Sequence, residues 1–157
     1  SVGDSLEKID GTITTDLVVD NSMRKCKISW LSQNPSTDWI YRKLFDGCHK
    51  TNFWKLDIRG YRDSIQYTTY SEKGDFYDFH SDTGPGMNHR KISMTVSLSD
   101  PDDYIGGDFE FREHGIIPKM KRGDAIMFPS WKQHKIHPIT HGIRKTLVVW
   151  IAGPPIK

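Results

Sequence analysis

Between residues 64 and 152 the sequence divides into eight short runs, each ended by a turn signal. Such spacing leaves little room for anything but a sandwich or roll of β-strands. The runs are 64–70, 76–82, 92–99, 107–112, 115–121, 125–130, 132–139 and 144–152, and the punctuation includes Gly84-Pro85-Gly86, Gly106-Gly107, Gly123-Asp124 and His141-Gly142. The third run has the plainest period. Ile92, Met94, Val96 and Leu98 alternate with Ser93, Thr95, Ser97 and Ser99, so one face is core and the other polar. The last run, Leu147-Val148-Val149-Trp150-Ile151, is apolar on both faces and is expected at the centre of the sheet.

Ahead of these runs the pattern is mixed. Thr12 to Asp20 and Lys25 to Leu31 read as strands around an Asn21-Ser22 turn. Ser36 or Thr37, after Pro35, can cap a helix that sets Ile40, Leu44 and Cys48 on one face, joined by Tyr41 and Phe45, and that ends near Lys50. Phe53-Trp54 is expected in the core. No repeat, low-complexity segment or linker marks a second domain, so a single domain over residues 1–157 is expected, with its β-core at about 64–152.

Charge and composition exclude more than they select. The 22 basic and 20 acidic residues leave a net charge of +2, which offers no footprint for nucleic acid or an anionic membrane. No apolar run is long enough to span a bilayer. Ser1-Val2-Gly3-Asp4-Ser5 lacks the apolar core of a signal peptide, and a cytoplasmic location with two reduced thiols, Cys26 and Cys48, is the expectation.

The chemistry gathers around His80-Ser81-Asp82. Alternate side chains of a strand share a face, so His80 and Asp82 project together and Ser81 turns away. An imidazole and a carboxylate on one face are two parts of the facial triad that holds non-haem Fe(II). A solvated surface triplet is the bland alternative. A third ligand has to come from elsewhere in the chain. His134 and His137 lie three apart on one run and face opposite ways, so only one of them can join. His141, beside Gly142, reads as a solvated turn residue. Arg144, ten positions after His134, would lie across a hairpin, and its planar fork suits a carboxylate. Its alternative is an ordinary solvated arginine at a strand start.

Taken together, these residues resemble the prolyl-4-hydroxylase-like branch of the Fe(II)/2-oxoglutarate-dependent oxygenases. The matching segments are Tyr70 to Gly74, Tyr77-x-x-His80-x-Asp82, Ser97-Leu98-Ser99 with Tyr104 to Asp108, Gly123-Asp124-Ala125 with Phe128-Pro129-Ser130, His134 to Arg144, and Trp150. The resemblance implies a mainly β fold, a double-stranded β-helix (a distorted jelly roll) flanked by an N-terminal helix and strands. It implies that His80, Asp82 and His134 bind Fe(II), and that 2-oxoglutarate and dioxygen take the open positions. Arg144 would pair with the distal carboxylate of 2-oxoglutarate, with Tyr70 and Trp150 beside it. A core role competes for both aromatics, and Tyr77 faces the substrate or simply packs. Ascorbate joins the expected cofactors.

The implied reaction is a hydroxylation that releases succinate and CO2. Asp82 favours it over halogenation, for which related enzymes carry a small residue at this position. The implied substrate is a prolyl residue in a protein or peptide. A free amino acid or other small molecule is the alternative, and the loop Thr83–Arg90, with Trp131 and Arg112, is the expected mouth. Two other classes compete: a non-catalytic metal- or carbohydrate-binding jelly roll, and a cupin-type dioxygenase that does not use 2-oxoglutarate. Arg144 argues against the first, and the sparse histidines against the second.

Overall fold

The computed structural model describes residues 17–71 and 74–155. The strands run β1 (Leu17–Asp20), β2 (Arg24–Leu31), β3 (Ile65–Tyr70), β4 (Phe76–His80), β5 (Arg90–Ser97), β6 (Tyr104–Gly106), β7 (Phe109–Phe111), β8 (Gly115–Ile116), β9 (Ala125–Pro129), β10 (His134–Ile136), β11 (Ile139–Gly142) and β12 (Arg144–Ala152), with helix α1 (Asp38–Lys50) between β2 and β3. The part of the first expected strand at 12–16 lies outside the described residues.

Ten of these strands form one curled antiparallel sheet in the order β8-β7-β10-β4-β2-β3-β12-β5-β9, with β1 paired to β2; β11 and β6 pair separately. The fold is the mainly β jelly roll that the resemblance implied, and β12 is central, paired with β3 on one side and β5 on the other. Local chemistry sets the entry hairpin: the Asn21 side-chain oxygen Oδ1 accepts from the backbone N–H groups of Met23 and Arg24 and turns β1 into β2.

Curling divides the interior into two apolar clusters. On the outer face, Leu31, Ile65, Met94, Val96, Leu147 and Val149 pack under Ile40, Tyr41 and Cys48 of α1. Each such aliphatic side chain contributes about 1.5–3 kcal/mol when fully buried. The Tyr41 hydroxyl donates to the Leu31 carbonyl and accepts from Ile65 N–H, which ties the helix to β2 and β3. On the inner face, Cys26, Ile28, Tyr70, Phe109, Phe128 and Ile136 form the second cluster. Both cysteines are buried and unbridged.

Several expectations change. Phe53 and Trp54 are not core: they are 82% and 41% exposed. They follow the end of α1, and the sheet beneath is covered instead by Leu56, Ile58 and Tyr61. Thr37 holds the N-cap position without capping, because its hydroxyl donates to the Ser32 carbonyl. The expected strand 132–139 is split at His137-Pro138, where proline removes a ladder donor. Its second part becomes β11, which pairs with the unforeseen β6. His141 is therefore a strand residue, though still exposed. Arg144 does not lie across a hairpin from His134: β4, β2 and β3 separate β10 from β12 in the sheet. The polar face of β5 is buried too, because it lines the inside of the roll. No helix among the described residues is long and apolar enough to cross a membrane.

Candidate active site

His80 ends β4 and His134 opens β10, and the two are register partners in adjacent strands. Pairing alone therefore brings their rings to 4.2 Å between centroids. Asp82 lies just past the end of β4, where its N–H donates to the Ser130 carbonyl. That bond returns its side chain towards the histidines. Asp82 Oδ1 is 3.5 Å from His80 Nε2 and 3.7 Å from His134 Nε2. One ligand atom from each of the three residues falls within 4.8 Å of the others, a donor set of two imidazoles and one carboxylate. Such a set suits Fe(II) with open positions.

The surrounding bonds leave the donor atoms bare. His80 Nδ1 lies 2.7 Å from the Asp78 carbonyl oxygen and His134 Nδ1 2.9 Å from that of Lys132. A carbonyl can only accept, so each ring carries its proton on Nδ1 and turns a lone pair on Nε2 inward. Ser93 Oγ donates to Asp82 Oδ2 at 2.6 Å, leaving Oδ1 open. Burial acts to raise the Asp82 carboxyl; against it, a hydrogen bond from His80 and the charge of His134, both available only when those rings carry a second proton on Nε2, act with the Ser93 bond to pull it down to about 2. His134 is pulled below the usual histidine range, chiefly by burial, against the opposing pull of Asp82. It stacks on Phe109 at 5.4 Å and meets Phe128 edge-on at 4.7 Å. His137 instead points away, 2.6 Å from Glu110 Oε2.

A cavity, open at its mouth, runs inward from this cluster. Its lining includes His80, Asp82, His134, Arg144, Tyr70 and Trp150, so all six candidates of the sequence meet in one space. Arg144 is 4% exposed, and no carboxylate pairs with it among the described residues; the centre of the Tyr70 ring lies 5.5 Å from its guanidinium. Burial pushes the Tyr70 phenol above its ordinary value, so it stays a hydroxyl donor. Gly107 makes room here. It sits at φ +62°, and a Cβ there would stand 2.3 Å from Ile139 Cδ1 and 3.2 Å from Arg144 Cδ.

Further residues join the site. Among the described residues the buried Thr146 hydroxyl and the Trp150 indole N–H have no partner, and both residues line the cavity. A buried, uncompensated guanidinium beside an orphaned hydroxyl fits an anionic oxygen-rich ligand. Thr146 follows Arg144 by two and Ser93 lies on the polar face of β5, so period-two reading from Arg144 and Ile92 carried the signal. Arg24 and Gln66, also in the lining, carried none. The expected mouth is only partly free. Arg90 and His89 are tied to Asp63, and the Arg90 guanidinium lies 3.8 Å over Trp150. Trp131 is exposed, and Arg112 lies over Phe79.

Residues 65–152 match the family described as the 2OG-Fe(II) oxygenase superfamily. A PKHD-type hydroxylase of Janthinobacterium sp. (strain Marseille) is 35% identical over 91 residues, 51% of this chain and 39% of that protein. One from Colwellia psychrerythraea (strain 34H / ATCC BAA-681) is 40% identical over 62 residues, 38% of this chain and 28% of that protein. The chain thus spans about two-fifths or less of the length of these curated relatives. Among solved structures, a Pseudomonas putida prolyl-4-hydroxylase superposes with a TM-score of 0.71 at 15% identity, covering 98% of this chain and 84% of that one. A viral collagen prolyl hydroxylase from Paramecium Bursaria Chlorella virus-1, solved with 2OG, gives 0.66 at 20% identity, covering 98% and 87%. At these identities the likeness is one of fold.

Proposed function

The chain belongs to the 2OG-Fe(II) oxygenase superfamily, and from that premise we propose that it is an Fe(II)- and 2-oxoglutarate-dependent hydroxylase acting on a prolyl residue of a protein or peptide. The observation that carries the reading is the single cavity shared by the His80–Asp82–His134 cluster and the unpaired guanidinium of Arg144. His80, Asp82 and His134 would hold the iron. Arg144 would clamp the distal carboxylate of 2-oxoglutarate, with the Tyr70 and Thr146 hydroxyls as further donors. When bound, iron and cosubstrate supply dioxygen activation, in which 2-oxoglutarate yields succinate and CO2 and one oxygen atom becomes a substrate hydroxyl.

The chain's own residues prepare this chemistry. The Asp78 and Lys132 carbonyls orient the two rings, and Ser93 orients the carboxylate. Phe109, Phe128 and Ile136 keep water from the inner wall. Such a dry wall strengthens the charge pairing at Arg144. The hydroxylase assignment draws support from the PKHD-type hydroxylases, and the prolyl assignment from the prolyl hydroxylase folds that resemble this one. The test is succinate formation from labelled 2-oxoglutarate with iron and proline-containing peptides, read alongside oxygen incorporation by mass spectrometry. His134→Ala is expected to abolish both while His137→Ala leaves both intact. Loss of iron binding in His137→Ala rather than His134→Ala would overturn the ligand set.

A further inference from the structure

Arg24, at the start of β2, sends a second guanidinium into the same cavity. Its Nε donates to Cys26 Sγ at 3.0 Å and its Nη2 to Gln66 Oε1 at 3.3 Å. The guanidinium lies 4.5 Å from the Tyr77 ring centre, and that ring meets His80 edge-on at 3.5 Å between centroids. One aromatic ring therefore separates this cation from a member of the His–Asp–His cluster. Its partners are a thiol, an amide oxygen and a π-face, all neutral, and no carboxylate pairs with Arg24 among the described residues. An arginine does not shed its proton in a protein. Two of its N–H donors are used, and the rest have no hydrogen-bond partner among the described residues.

The charge balance of the proposed site makes this residue informative. A divalent iron and Arg144 are matched by Asp82 and the two carboxylates of 2-oxoglutarate. Arg24 is the positive charge left over. A half-buried, unmatched charge is costly unless a ligand supplies its counterion. Position separates it from the cosubstrate clamp: Arg144 is the register partner of Tyr70 on β3, whereas Arg24 is the register partner of Tyr77 on β4.

We propose that Arg24 recognises a carboxylate of the primary substrate, so that the molecule hydroxylated carries a negative charge close to the reacting carbon. This deepens the hydroxylase reading and rests on it. The carboxylate belongs either to a free amino acid or to an acidic residue beside the target in a peptide. Gln66 holds the guanidinium from one side, and the Tyr77 ring supports it from the other.

The test is calorimetry on the protein loaded with Ni(II) and 2-oxoglutarate, which binds ligands without turnover. N-acetyl-proline is compared with its amide, and acetyl-Pro-Glu-amide with acetyl-Pro-Gln-amide. The charged member of one pair is expected to bind about tenfold to a hundredfold more tightly, the span of a charge-assisted hydrogen bond. The pair that responds identifies the source of the carboxylate. Arg24→Gln should erase the preference, and Arg24→Lys should keep part of it, with 2-oxoglutarate affinity within about twofold of wild type in both. Thermal unfolding of each variant verifies the fold. Equal or absent binding of charged and neutral members in both pairs overturns the proposal. So does an Arg24→Gln variant that loses 2-oxoglutarate as Arg144→Gln does, since Arg24 would then serve the cosubstrate. Failure of the wild type to bind 2-oxoglutarate in the loading step counts against the hydroxylase reading instead.

Discussion

Leu147, Val149 and Ile151 leave one face of β12, and Thr146, Val148 and Trp150, with Arg144 at the strand's start, leave the other. Leu147 is 0% exposed on the outer face, and Arg144 is 4% exposed on the inner one. Burial does not tell the faces apart; polar satisfaction does. The outer face packs in the hydrophobic cluster under α1, where the Tyr41 hydroxyl has its own partners. Among the described residues, the inner face buries a guanidinium without a carboxylate, a hydroxyl without a partner and an indole N–H without an acceptor. A fold carries such debts where a ligand completes them. On the proposed reading, one strand serves as structural core on its odd residues and as binding wall on its even ones.

Breaking the two faces in turn should separate stability from binding. Arg144→Met is expected to cost the most in function: 2-oxoglutarate affinity should fall by about a hundredfold to a few thousandfold, from a lost pairing of about 3–5 kcal/mol. The ligand-free protein should be no less stable, because an uncompensated buried charge has been removed. Calorimetry and thermal unfolding read the two quantities. Leu147→Ala should do the reverse. Deleting a fully buried leucine on the outer face costs about 2–5 kcal/mol of stability, visible as a lower urea midpoint, while 2-oxoglutarate affinity per folded molecule stays near wild type.

The contrast between the faces explains what could be read from the chain beforehand. The helix and the central place of β12 follow from helical spacing and apolar patterning, which are local properties; His80 and Asp82 do meet, but Asp82 has left β4 and its bond to the Ser130 carbonyl, not strand alternation, returns it. Curling is not local. Ser93 and Thr95 alternate with Ile92 and Met94 as a solvated face would, and only closure of the roll makes them interior. Arg24 and Gln66 are ordinary strand residues until closure brings them into one cavity. Phe53 and Trp54 fail the other way: apolar composition cannot say which residues after a helix reach the sheet, and Leu56, Ile58 and Tyr61 do.

Smaller perturbations sharpen the comparison. Gly107→Ala forces a side chain against Ile139 and Arg144 at a positive φ, and should cost about 1–3 kcal/mol. Because Arg144 is one of the neighbours displaced, 2-oxoglutarate affinity should drop as well, unlike in Leu147→Ala. Thr146→Val is the mildest change. It removes an orphaned hydroxyl at nearly constant volume, so the ligand-free protein should be as stable or slightly more so. Cosubstrate affinity should weaken by about two- to tenfold, the worth of one hydrogen bond of about 0.5–1.5 kcal/mol.

The central claim is that the inner face of β12 and the His80–Asp82–His134 cluster form one site for metal and cosubstrate together. Anaerobic titration of the protein with Fe(II) and then 2-oxoglutarate, followed by visible absorption, tests it most directly. A metal-to-ligand charge-transfer band should rise on adding 2-oxoglutarate to the iron-loaded wild type, saturate at one equivalent per chain, and shift to much higher 2-oxoglutarate concentration in Arg144→Met. Iron binding without any such band, or a band indifferent to Arg144, would contradict the account.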